Sequence, residues 1–200
     1  MGIKVALLSP SSIEPSQAVS ELKEAFASKA PIVRCVAAKQ AGVLGRAGLV
    51  EDLEKLLSDE YYNVREYAAL SLGALESKKS IPKLCEVKED NLTLAAVTEA
   101  LGMIGSPKAL PHLRELIKHE SYRVRKNAAE AIGKIGEKES QSELIKALTD
   151  DDYEVRVAAA KALGILGSKD ALPALEKALE DYDWEVRETA AAAIENIRKK

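Results

Sequence analysis

Aromatic residues make up only 4% of the 200-residue chain, with a single Phe and a single Trp. A core without large rings must be filled by Ala, Leu, Ile and Val, and small side chains let helices approach closely. Two cysteines, Cys35 and Cys85, are too few for a disulfide framework, and no charged start followed by an apolar run marks a secretory signal. Both read as reduced thiols of a cytoplasmic protein. The early apolar run from Ile3 to Leu8 is interrupted by Lys4 and is far too short to span a bilayer, which excludes the membrane as a partner. A net charge of -3 offers polyanions no general attraction, so nucleic acid is excluded as well.

What the chain does have, at 46% hydrophobic and 30% charged residues, is a globular composition arranged as a repeat. The stretches 122–136 (YRVRKNAAEAIGKIG) and 153–167 (YEVRVAAAKALGILG) share one template, and 184–197 follows it without the glycines. Arg34, Arg65, Arg125, Arg156 and Arg187 mark its register, with Leu94 in the place of the third. Eight residues beyond each anchor stand Gly42, Gly73, Gly102, Gly133 and Gly164, and then Glu195. A second register runs through Leu22, Leu53, Leu84, Leu113, Leu144 and Leu175, with Pro82, Pro111 and Pro173 two residues before three of them. Each unit therefore holds two segments.

Both segments are helical by spacing: Val124, Ala128, Ala131, Ile132 and Ile135 recur every three to four residues, as do Leu110, Leu113, Leu116 and Ile117. Ser121, Asp152 and Asp183, four before their arginines, are placed to cap the second helix, and the prolines suit the first turn of the first. The motif DYDWEVRETAA at 181–191 resembles the HEAT repeat, in particular the short variety named after phycobilisome lyases. The resemblance extends over residues 16 to 200 and implies an all-α fold, a right-handed α-solenoid of six helical hairpins with second helices lining a concave face. The expected organisation is a leader or cap at 1–15 and one repeat domain at 16–200, in units 16–46, 47–77, 78–106, 107–137, 138–168 and 169–200. The third unit is two residues shorter, lacks the arginine and the aromatic of its turn, and is expected to change the stacking angle around 85–95.

Residues that recur with the repeat are architecture first. Ala68, Ala69, Ala128, Ala129, Ala159 and Ala160 permit close stacking, and the register glycines relieve crowding between second helices. The arginines follow Asp59, Asp150 or Asp181 by six residues and Asp152 or Asp183 by four, so a ladder of Arg34, Arg65, Arg125, Arg156 and Arg187 with such carboxylates is expected to join neighbouring units. Tyr62, Tyr122, Tyr153 and Trp184, three before the anchors, are expected to cover the interhelical turn.

Chemistry is sparse. His112 and His119 contribute one His-Glu pair, short of the several that HEAT-like di-iron hydroxylases use, and the cysteines lack metal-ligand spacing. No catalytic, metal or cofactor residue is assigned, and the chain is read as not an enzyme. Positions expected on the concave face carry four lysines against four glutamates, and their first half is apolar. Val36, Val43, Tyr67, Leu70 and Met103 form the candidate partner surface. The function expected is a scaffold binding a partner protein or peptide; the alternative that the resemblance allows is a lyase-like or chaperone-like subunit handling a tetrapyrrole.

Overall fold

The computed structural model describes residues 15–88 and 90–199, and every regular element within them is helical. The leader expected at the amino end falls, apart from Pro15, on residues 1–14, which lie outside the described ones. Six hairpins follow one another: α1 (Pro15–Phe26) with α2 (Pro31–Val43), α3 (Val50–Leu56) with α4 (Tyr62–Ala74), α5 (Ile81–Glu86) with α6 (Asn91–Ile104), α7 (Leu110–Leu116) with α8 (Tyr122–Ile135), α9 (Gln141–Ala147) with α10 (Tyr153–Leu166), and α11 (Leu172–Ala178) with α12 (Trp184–Lys199). A single 3-10 turn, such as Pro107–Ala109 or Lys169–Ala171, leads into each first helix from α3 on. The fold is thus an all-α solenoid. It gathers into two compact units, Met1–Ala100 and Leu101–Lys200, whose boundary falls inside α6.

Each unit has its own core, built from the registers visible in the sequence. In the first, Leu22, Leu53 and Leu84 of the first helices are at most 2% exposed, and Val64, Ala68 and Ala69 of α4 are fully buried. In the second, Leu113, Leu144, Leu175, Val124, Val155 and Val186 are fully buried. Each such leucine contributes about 1.5–3 kcal/mol by leaving water. Pro82, Pro111 and Pro173 occupy the first turns of α5, α7 and α11, where a missing N–H costs little. Asp152 and Asp183 cap their helices by accepting from the N–H of Glu154 and Glu185, both at 2.9 Å. Ser121 differs from the expected cap: its side chain makes no capping bond, and its own N–H is turned to His119 Nδ1 at 3.1 Å.

Close helix approach explains one series of glycines. A Cβ on Gly133 of α8 would sit 2.7 Å from the Cβ and 2.8 Å from the Cα of Ala162 on α10. In the first unit Gly42 meets Ser71 in the same way, and Ser71 Oγ donates to the Ala38 carbonyl at 2.7 Å. The second series has a different cause, since Gly136 and Gly167 end α8 and α10 with φ of 81° and 66°. Glu76 stands at the corresponding position after α4 with φ of 49°, a strained left-handed conformation for a residue with a Cβ.

These contacts fix the sign of two substitutions. Ala is the better helix former by about 1 kcal/mol, but the overlap with Ala162 involves backbone, and overpacking costs about 1–3 kcal/mol. Gly133→Ala therefore lowers stability by about 1 kcal/mol in urea unfolding. Glu76→Gly, which relieves about 1–2 kcal/mol of strain against a more flexible unfolded chain, raises it by about 0.5 kcal/mol in the same assay.

Candidate functional site

The arginines are held first, because they determine which surfaces remain available. Arg34 of α2 reaches 25 residues forward to Asp59, with Nε and Nη2 donating to the two carboxylate oxygens at 2.7 and 2.9 Å, while Nη1 donates to the Ser28 carbonyl at 2.8 Å. Arg125 binds Asp150 at 2.8 and 2.7 Å, and Arg156 binds Asp181 at 2.8 and 3.0 Å, in the same forked geometry. Arg65 donates to Asp90 at 2.5 Å and to Thr93 Oγ1 at 3.2 Å. The carboxylates opposite the arginines are therefore Asp59, Asp90, Asp150 and Asp181. Asp152 and Asp183, grouped with the ladder on spacing, are helix caps instead, because four residues before the arginine is where the orphan N–H groups of their own helix lie nearest. Arg187 keeps the backbone half of the pattern, donating to the Asp181 carbonyl at 2.7 Å.

The third hairpin receives a bond from Arg65 through Asp90 although Leu94 replaces its own arginine. The position 25 beyond Leu94 is His119, so guanidinium and carboxylate are both missing from that step of the register. Tyr61 and Tyr182, which no register had singled out, lie against the ladder: the guanidinium carbons of Arg34 and Arg156 stand 5.6 and 4.6 Å from their ring centroids. Spacing conceals them, since one follows its aspartate by two residues and the other by one.

The second helices present an exposed face in each unit. On α2 and α4, Val43 is 74% exposed, Val36, Tyr67 and Leu70 are half-buried, and Lys39 Nζ lies 5.8 Å from the Tyr67 ring centroid. Met103, at 39% exposure, belongs to the second unit, so the five candidate partner residues divide between the units. Cys35, Ala96, Val157 and Ala158 of the second helices are buried. On α10 and α12 a hollow of about 950 Å³ is lined by Lys161, Ile165, Trp184, Glu188, Asn196 and Lys199. Ile165 is 56% and Trp184 65% exposed. The sequence places Lys161, Ile165, Glu188 and Asn196 on the concave face but conceals Trp184, which recurs in register with turn residues and reads as one of them.

Neither cysteine is activated: burial pushes the Cys35 thiol up, with Asp59 adding to the effect, and burial also raises Cys85. Among the described residues no group of three or more His, Cys, Asp or Glu could hold a metal ion, and no helix is long and apolar enough to cross a membrane.

With this geometry the comparisons are direct. The family model described as HEAT repeats matches residues 19–91 and 115–195, more than half of the chain, and that of the PBS lyase HEAT-like repeat matches 94–119. The chain belongs to the HEAT-repeat family. It is 36% identical over 104 residues, 44% of its length, to the phycocyanobilin lyase subunit alpha of Picosynechococcus sp., and the match spans only 38% of that relative. The complex of CpcE and CpcF of phycocyanin lyase from Nostoc sp. is similar in structure with a TM-score of 0.55 and 26% identity, over 91% of this chain and 83% of that one. A computationally designed armadillo repeat protein for modular peptide recognition shares the fold with a TM-score of 0.62 at 23% identity, over 92% and 99%. The expectation that the chain is not an enzyme is overturned by the lyase-subunit relatives. Composition did not reveal this: among the described residues no His, Cys, Asp and Glu group marks a metal site.

The ladder has a pH signature. Burial alone would raise Asp181, yet the bond from Arg156, the N–H of Asp183 and the attraction of Arg156 and Arg187 outweigh it and hold the carboxyl below its usual range. Asp59 and Asp90 are lowered in the same way, by Arg34 with the Tyr61 N–H and by Thr93 with Arg65. A depressed folded pKa gives stability that is complete above the unfolded value near 4 and is lost as pH falls toward the folded one. Unfolding free energy therefore drops steeply below about pH 4. Asp181→Ala, which strands a guanidinium whose side chain is 4% exposed, costs about 3 kcal/mol at neutral pH and flattens the acid limb of the denaturant-stability profile.

Proposed function

We propose that the chain is a subunit of a phycobilin-lyase-type protein, holding a linear tetrapyrrole on the α10/α12 face and working with a protein partner in the cytoplasm. The observation that carries this reading is the 36% identity to a phycocyanobilin lyase subunit alpha. The likeness to the CpcE and CpcF complex supports a shared, two-protein arrangement.

The chemistry of the face suits a bilin, a conjugated chain of four pyrrole rings carrying two propionates. Trp184 offers a broad π surface for stacking and Ile165 an apolar contact. Lys161 supplies an ammonium group for a propionate, Lys199 a second one that is shared with Glu195 at 2.6 Å, and Glu188 an acceptor for pyrrole N–H groups. With the thiols of Cys35 and Cys85 raised by burial, this chain holds and orients the pigment rather than capturing it covalently. Val36, Val43, Tyr67 and Leu70 of the first unit are assigned to the protein partner, whose apolar side chains would cover them.

Trp184 is the only tryptophan in the chain, so its emission reports directly on that face. Titration with phycocyanobilin is expected to quench this fluorescence saturably while the visible spectrum of the pigment shifts. Lys161→Glu, which replaces a favourable charge by a repulsive one, weakens binding by about tenfold. Unchanged emission at pigment excess would refute a bilin site on α10 and α12.

A further inference from the structure

A second recess lies on the opposite kind of surface, between the first helices α9 and α11 of the second unit, and it is separate from the bilin face. Its volume is about 790 Å³, and its floor is apolar, formed by Leu148, Ile145 and Ala174. Asp150, Asp151, Asp170 and Asp181 rim it, against Lys177 and Arg156. Two of the four carboxylates are already committed to the ladder, Asp150 to Arg125 and Asp181 to Arg156. Asp151 and Asp170 are exposed. Tyr182 stands at the edge, 80% exposed, with the Arg156 guanidinium 4.6 Å from its ring centroid. A planar ring with one cation on it and most of its surface open presents a second face to solvent.

Apolar floor, surplus carboxylates and an open aromatic face recur together where proteins bind cationic side chains next to hydrophobic ones. We infer that the α9/α11 recess docks a segment of a partner protein in which an arginine adjoins apolar residues. The arginine stacks on Tyr182 and pairs with Asp151 or Asp170, and the apolar neighbours rest on Leu148 and Ala174. With Asp150 and Asp181 neutralised by the ladder, Asp151 and Asp170 outnumber Lys177 on the rim, which favours a basic protein segment over an anionic one. The assignment uses no residue of the α10/α12 face and stands whether or not a bilin binds there.

The probe is a peptide carrying fluorescein on its amino terminus, fluorescein-Gly-Leu-Arg-Leu-Leu-Arg-Leu-amide, followed by anisotropy against the full chain, with the Glu-for-Arg peptide as counterpart. Saturable binding of the arginine peptide is expected, weakened by salt and at least tenfold stronger than for the glutamate peptide. The Asp151→Asn, Asp170→Asn double variant, which spares the ladder carboxylates, weakens it by about tenfold. Tyr182→Ala does the same while Tyr182→Phe, which keeps the ring, binds as the parent does. Circular dichroism confirms that each variant is folded. Absence of binding by the folded parent, equal affinity for both peptides, or undiminished affinity in the double variant overturns the inference.

Discussion

The forked bond between an arginine on one second helix and an aspartate at the turn of the next hairpin is the constraint on which the rest depends. The same aspartate accepts three kinds of donor: Asp59 takes the guanidinium of Arg34 and the N–H of Tyr61 on its side chain, while its backbone carbonyl takes Arg65 Nη1. One residue thereby links the preceding helix, its own turn and the following helix. Hydrophobic burial brings hairpins together without direction. The bidentate geometry adds the register in which Gly42 meets Ser71 and Gly133 meets Ala162.

Arg34, Arg125 and Arg156 are each held by an aspartate and by backbone carbonyls, which leaves residues outside that network as the candidates for contacts with other molecules. The surfaces that remain differ in chemistry. Trp184, Ile165, Lys161 and Lys199 combine a ring, an apolar group and cations, which suits a flat acid. The α9/α11 recess combines a ring, an apolar floor and carboxylates, which suits a base. Lys78, Lys79, Lys108, Lys138 and Lys169 sit on the 3-10 turns that precede the first helices, while Asp59, Asp90, Asp150 and Asp181 lie in the turns between the helices of a hairpin.

Family membership extends this division. A solenoid hairpin repeats its interior and leaves its exposed face free to vary. That is why the absence of His, Cys and carboxylate clusters misled the sequence reading about enzymatic character.

The sequence by itself determined the hairpins, their number and their interior: Leu53, Leu113, Val124 and Ala128 are buried where their registers require, because the spacing of apolar residues is the spacing of a helix face. It also identified the arginines and glycines as structural from recurrence alone. Tertiary structure decided which aspartate meets each arginine, since Asp150 and Asp152 are both near in sequence and only one points to the preceding helix. It decided that Cys35 and Val157 are buried while Val43 and Ile165 are not, because a rotation of a few tens of degrees about the helix axis exchanges those positions. It alone revealed the Tyr182 ring against Arg156, and Trp184 and Lys161 lining one hollow, groupings of residues from different elements that no single periodicity encodes.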